Sequence, residues 1–289
     1  MIRALVIEAR PRQWVKNVLV LAAPGAAGLL DNSSAIGSTL LAFLAFCLVS
    51  SGTYYWNDIH DRHADARHPT KRHRPIASGR IPLPVAVVVA VVLLLAGIAI
   101  AASLNARTAV VVSTYVVLTT AYSTVLKHVA VVDLVVVAAG FVLRAMAGAE
   151  ASAIEMSTWF VLCTSFGSLF IVTGKRYAEL REFGDEAGAM RPSLAQYTLG
   201  FLHTVLSVSI TASLVTYCLW AFEVRELSGS TWPFYELSIV PMGMALLRYL
   251  LVLEQGHGAA PEEVFAADRT LQLLGVVWAV AFGLGVYVG

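Results

Sequence analysis

Long apolar runs separated by short polar stretches set the pattern of this chain. A helix needs about 20 mostly apolar residues to cross the hydrocarbon core of a bilayer. Nine stretches approach that length: about 15–30, 38–56, 82–102, 108–124, 130–149, 158–173, 199–222, 233–253 and 270–288. The pattern predicts an all-α integral membrane protein of nine transmembrane helices. The first and sixth runs are short, and the break between the fourth and fifth rests on Lys127 and His128. The connections are too brief to hold a soluble domain, so residues 1–289 read as a single transmembrane domain. Ahead of the first run, MIRALVIEARPRQW reads as an amphipathic segment over about 1–14, without the core and cleavage site of a signal peptide.

Composition agrees: 13% of the residues are charged, against about 25% in an ordinary soluble domain. The charges are segregated. With the N-terminus inside, sixteen lysines and arginines fall on the inner side, and only Arg107 and Arg225 on the outer; Arg144 and Arg248 lie within runs. Cytoplasmic loops carry the positive excess, which places the polar segments at about 57–81 and 174–198 in the cytoplasm. Cys47, Cys163 and Cys218 sit in apolar runs without metal-ligand spacing and read as small buried hydrophobes.

The densest polar stretch is NDIHDRHADARHPTKRHRP. Asn57, Asp61 and Asp65 recur every four residues, with Asp58 three before Asp61. If the second run continues as a helix past Trp56, these side chains form a stripe. Crowded carboxylates call for a cation, and an all-oxygen set selects a hard one, Mg²⁺ or Mn²⁺, which shares itself with substrate phosphates. Asn57, Asp58, Asp61 and Asp65 are thus the expected metal ligands, and the three aspartates the expected catalytic residues. The plain alternative is a solvated helix end whose acids pair with Arg62 and Arg67. His60, His63, His68 and His73 have no zinc-site spacing. Pro69 and Pro75 end the helix, and Lys71, Arg72 and Arg74 follow. Cations beside a carboxylate stripe suit a substrate with more phosphate than one divalent ion neutralises; topology signalling explains only their sign.

Three further polar patches fall at cytoplasmic ends of runs. RPRQWVKN brings Lys16 and Asn17, YSTVLKH brings Tyr122, Ser123 and Lys127, and TGKRYAELREFGDE brings Lys175, Arg176, Glu179, Arg181, Glu182 and Asp185. Singly each is a snorkelling interface; jointly they describe a ring around one cavity mouth. Arg144, inside the fifth run, is costly in lipid and is expected to face the bundle interior, as a structural partner or as a substrate contact. Its small neighbours Ala145, Ala147, Gly148 and Ala149 suit close helix packing.

These residues resemble the UbiA superfamily of intramembrane prenyltransferases. NDIHDRHAD looks like that family's first aspartate-rich motif, NDxxDxxxD, and nine spans agree with its bundle and cytoplasm-facing cavity. RPRQWVKNVLVLAAP, the basic run after the aspartates, YSTVLKHVAVVDLVVVAAGFVLRAMAGA and GKRYAEL resemble its phosphoribosyl-transferring branch. Where prenyl-diphosphate users carry a second aspartate motif, this chain has GKRYAELREFGDE, in which lysine and arginine lead. The resemblance implies transfer of 5-phosphoribose from phosphoribosyl pyrophosphate to a polyprenyl (decaprenyl) phosphate, toward cell-wall arabinan at a bacterial plasma membrane. It implies Mg²⁺, with Mn²⁺ as a substitute, no nucleic-acid partner, and an arrangement compatible with a homo-oligomer. Asn57 and the basic residues Lys16, Lys71, Arg72, Arg74, Lys127, Lys175 and Arg176 would serve the phosphates. Two readings stay beside it. An aromatic prenyltransferase of the same superfamily shares the metal site; a transporter would place its polar groups near the midplane.

Overall fold

The computed structural model describes residues 1–258 and 260–288, and for Asp185, Ala189 and Met190 the backbone alone. Among the described residues there are helices and turns but no strand. In chain order these are α1 (Ile2–Ala9), a 3₁₀ stretch (Pro11–Leu21), α2 (Ala22–Ala26), α3 (Ser33–Arg67), a 3₁₀ turn (Lys71–His73), α4 (Leu83–Leu104) and α5 (Ala106–Thr124). A 3₁₀ turn (Leu126–His128), α6 (Val132–Ala151) and α7 (Thr158–Phe183) follow, then short turns and α8 (Ala187–Met190), α9 (Leu199–Ser228), α10 (Phe234–Leu237), α11 (Ile239–Glu254), α12 (Pro261–Ala267) and α13 (Arg269–Tyr287).

Among the described residues, seven helices are long and apolar enough to cross a membrane: α3, α4, α6, α7, α9, the α10–α11 pair and α13. The expected helical membrane protein is found, but two of the nine runs differ from expectation. The first is no continuous α-helix. Its 3₁₀ part carries Pro11, Arg12, Gln13, Lys16 and Asn17, and Pro24 and Gly25 follow in the short α2. The fourth forms the 19-residue α5, but its serines and threonines dilute its apolarity. Those hydroxyls return to backbone carbonyls one turn earlier, Thr119 to Tyr115 at 2.7 Å and Ser123 to Thr119 at 2.9 Å. Apolar side chains such as Val88, Val92 and Leu95 on α4 are exposed, as suits a surface that faces lipid.

The chain divides into two compact units, residues 1–126 with 143–155, and residues 127–142 with 156–289. In the first, α3 is flanked by α4, α5 and the 3₁₀ stretch. Phe46, Val49, Val112 and Tyr115 form one core with Val20, and Tyr55, Ile76 and Ile81 a second. Asn32 caps α3 by accepting from the amides of Ser34 and Ala35 at 3.0 Å, and Pro69 ends it by forcing His68 to an extended backbone. At 35 residues and about 1.5 Å each, α3 is about 52 Å long, well beyond a hydrocarbon core of about 30 Å. The packing is tight at Gly148, where an added Cβ would lie 1.7 Å from the Val20 carbonyl oxygen.

In the second unit α7 packs on α9 and α11 on α13, around Phe170, Tyr177, Leu202, Leu206, Tyr249 and Leu253. Arg248, one of the two arginines inside apolar runs, donates from Nε and Nη2 to Asp268 Oδ2 at 3.0 and 2.8 Å. The other oxygen of Asp268 caps α13 at the Leu271 amide.

Candidate active site

The polar end of α3 is helical through Arg67, so the stripe expected from the sequence forms. Asp58 and Asp65 find their cation partners in Arg10 and Arg74. Asp58 is 1% exposed and Asp65 4%, and Arg74 joins them: its Nη1 donates to Asp58 Oδ1 at 3.1 Å and to Asp65 Oδ2 at 2.7 Å. Asn57 Nδ2 donates to the same Asp58 oxygen at 3.1 Å. Arg10 binds the other, Oδ2, and its guanidinium lies 4.8 Å over the Tyr54 ring. Arg10 adopts a left-handed backbone (φ 52°) between α1 and the 3₁₀ stretch, a conformation a non-glycine residue takes rarely. Asp61 is half-buried on the same helix, Lys71 half-buried and Arg72 exposed on the turn that follows. Lys16 is half-buried on the 3₁₀ stretch.

Glu8, on α1, also belongs to this cluster. It is 1% exposed, and no fixed donor makes a well-formed hydrogen bond to either carboxyl oxygen. Burial, then the adjoining Asp58, pushes its carboxyl up to about 8, with Arg10 offsetting part of the effect. Three polar contacts hold α1 here: Tyr55 OH to the Leu5 carbonyl and Ser51 Oγ to the Ala9 carbonyl, each at 2.8 Å, and Arg10 to Asp58.

Two residues expected at the substrate are engaged elsewhere. Arg144 is 6% exposed, donates from Nε to Asn17 Oδ1 at 2.8 Å and from Nη2 to Tyr115 OH at 3.0 Å, and stacks 4.7 Å over the Tyr115 ring. Asn17, fully buried, turns its amide nitrogen toward Cys47 and Ser50. For Arg144 this is the structural partner that the sequence reading allowed. A buried guanidinium needs fixed acceptors, and Asn17 supplies one inside the helix packing. Tyr122 is half-buried at the end of α5, beside Ser123.

In the second unit the segment GKRYAEL builds an ion-pair network. Arg176, 3% exposed, meets Asp133 Oδ2 from Nε and Glu179 Oε2 from Nη1, both at 3.3 Å. Asp133 also accepts from Ser193 Oγ at 2.9 Å and from Tyr197 OH. Burial and this carboxylate push the Tyr197 phenol up, which keeps it a donor. Lys175 lies 3.9 Å from Glu179, the expected i, i+4 pair, and Arg191 3.8 Å from it. Arg176 thus bridges the Asp133 and Glu179 carboxylates. Lys127 is half-buried on the Leu126–His128 turn. Asp185's side chain lies outside the described residues.

Sequence reasoning missed Glu8, Arg10 and Asp133 as site or network residues. For Glu8 a signal existed: it shares a face with Ala4, the other buried residue of α1, while Ile2 and Val6 are exposed.

Among the described residues no three Asp, Glu, His or Cys side chains form a ready metal cage. The donor chemistry nevertheless fits Mg²⁺, which binds through one or two carboxylates plus waters and substrate phosphates. Asn57, Asp61 and Asp65 supply that set. Asp58 is largely occupied: of the about four lone-pair sites a carboxylate offers, Asn57, Arg74 and Arg10 take three.

A bundle of membrane-crossing helices, one prolonged into an Asn/Asp stripe beside a basic turn, defines an intramembrane transferase: the chain belongs to the UbiA prenyltransferase family, whose model matches residues 18–287. It is 42% identical over 292 residues to the decaprenyl-phosphate phosphoribosyltransferase of Corynebacterium glutamicum, covering all of this chain and 87% of that protein. The Mycobacterium tuberculosis protein of the same name is 42% identical over 293 residues, covering all of this chain and 96% of that protein. The fold is that of a UbiA homolog from Archaeoglobus fulgidus bound to GPP and Mg²⁺, with TM-score 0.71, 19% identity and 98% of each chain covered.

Proposed function

We propose that this chain transfers 5-phosphoribose from phosphoribosyl pyrophosphate to a polyprenyl phosphate and releases pyrophosphate. The observation that carries this reading is full-length kinship with two decaprenyl-phosphate phosphoribosyltransferases at 42% identity. The guanidinium and carboxylate cluster at the end of α3 suits it.

Asn57, Asp61 and Asp65 would hold Mg²⁺, or Mn²⁺ through the same oxygens. When bound, the ion supplies charge neutralisation for the departing pyrophosphate. Asp58 orients Arg10 and Arg74 instead. Lys16, Lys71 and Arg72 would neutralise phosphate oxygens left over by the ion, and their flexible cationic heads suit a donor with three phosphate groups. The acceptor phosphate is ionised at neutral pH, so no residue of the chain has to deprotonate it. The excess of lysine and arginine on one side supports a cytoplasmic site.

The test offers membranes labelled phosphoribosyl pyrophosphate with polyprenyl phosphate, or a labelled prenyl diphosphate with an aromatic acid. Label entering the lipid fraction in the first arm supports the reading; transfer in the second arm alone overturns it. Asp61→Asn should lower Mg²⁺-dependent transfer by about 100-fold or more, the scale of losing one transition-state stabiliser, while the protein inserts and purifies normally. Undiminished turnover would remove the metal role.

A further inference from the structure

Helix α1 packs one face on the protein and turns an apolar face outward. Ala4 and Glu8 are buried, and Ala4 shares a core with Tyr55 of α3 and with Ala86 and Ala90 in the first turns of α4. Ile2 and Val6 precede that pair by two residues, about 200° round a helix, and both are exposed. A helix that met water there would carry polar side chains. The height of α1 explains the exception. Its carbonyls at Leu5 and Ala9 accept from Tyr55 and Ser51, which stand in the last turns of α3's apolar run, just before Asn57. Trp14 donates to the same Ser51 at 3.1 Å, and the exposed Val88 and Val92 continue the apolar surface on α4. Hydrocarbon gives way to headgroups at this level, where tryptophans and amphipathic helices collect. The exposed charges beside the ridge are Arg3 and Arg12, both cationic, and the one acid of α1, Glu8, is buried.

We propose that α1 docks in the headgroup region of the bilayer leaflet on the side of the aspartate stripe. Ile2 and Val6 then lie among acyl chains, Arg3 and Arg12 meet anionic lipid phosphates, and the docked helix seats Arg10 on Asp58. The coupling follows from the chain's geometry. Arg10 ends α1 in a left-handed conformation (φ 52°) that sets the angle at which the next stretch leaves. Its guanidinium has Asp58 and the Tyr54 ring as partners on α3. A helix of 8 residues is too short to hold itself together in water, so α1 depends on the surfaces at its two sides. The protein supplies one and lipid the other. Lipid composition thereby acts on the position of a guanidinium in the candidate site, without any ligand entering it.

The experiment uses the full chain in nanodiscs and needs no substrate. A nitroxide is attached to Val6→Cys, or to Ala64→Cys at the exposed polar end of α3, with Cys47, Cys163 and Cys218 replaced by alanine. Oxygen, which concentrates in the bilayer, should relax the Val6 probe more than a water-soluble nickel chelate does, and the Ala64 probe should show the reverse order. A second measurement follows the rate at which phenylglyoxal modifies Arg10, read by mass spectrometry relative to the exposed Arg67. In phosphatidylcholine alone that rate should be about fivefold higher than with phosphatidylglycerol added, the factor for one arginine's attraction to an anionic surface. Arg3→Gln combined with Arg12→Gln should remove the difference between the two lipids, and Val6→Asp should raise the rate in both. A Val6 probe that behaves like the Ala64 probe overturns the docking. An Arg10 rate indifferent to lipid charge and to Val6→Asp overturns the coupling. If phosphoribosyl pyrophosphate proves not to be the donor, the proposed function falls, and these two measurements still decide the role of α1.

Discussion

At Gly148 the Cβ of any larger residue would meet the Val20 carbonyl at 1.7 Å, a contact with backbone that cannot rotate away. Gly148→Ala should therefore shift the 3₁₀ stretch and destabilise by at least about 1–3 kcal/mol, the usual cost of overpacking, seen as a lower melting temperature in detergent. The same stretch carries Asn17, and here the prediction separates two roles. If Asn17 serves Arg144, Asn17→Ala should cost about 1.5–3 kcal/mol, the range for a hydrogen bond to a charged group, and leave KM for the donor unchanged. The sequence marks Gly148 as one of a run of small residues and Arg144 as an interior charge. Neither carries any mark of its partner, because Val20 and Asn17 lie far off in the chain and nothing periodic links them.

Among the elements, α3 was legible almost throughout. Apolar length places its first two thirds, and the four-residue spacing of Asn57, Asp61 and Asp65 reports that the helix continues into water. Its end is equally readable from Pro69. Interrupting it between Asp61 and Asp65 should isolate one effect: Ala64→Pro, at an exposed position, removes a helical bond and crowds the preceding turn, at a cost of about 3 kcal/mol or more. Asp65 would leave Arg74, and donor binding should fall measurably in a titration with Mg²⁺ and phosphoribosyl pyrophosphate. The first apolar run was not legible in the same way. Counting hydrophobes treats 15–30 as one span, whereas prolines and a buried amide side chain make it a 3₁₀ stretch and a short helix. Hydrophobic periodicity has no signal for a segment whose polar groups are satisfied inside the protein.

For the whole molecule, the basic character of GKRYAEL was visible, but its setting was not. Asp133 is a fully buried acceptor in the second unit, and its partners Arg176, Ser193 and Tyr197 come from α7 and the segment after it. A fragment of residues 156–289 alone lacks Asp133 and leaves the buried Arg176 guanidinium without that carboxylate. Such a fragment should be degraded or aggregate on expression, and co-expression with residues 1–155 should rescue it, as judged by protease resistance.

The helix α6 gives this a consequence in time. Residues 132–142 belong to one unit and 143–151 to the other, so a ribosome delivers the opening piece of the second unit before the closing piece of the first. Neither unit can finish while the other is unstarted. The first must stay open until residue 155 has emerged, and Asp133 must wait, already in the membrane, for an arginine not yet translated. The order of synthesis interleaves the two halves, and the insertion machinery has to shelter a buried acid through that interval.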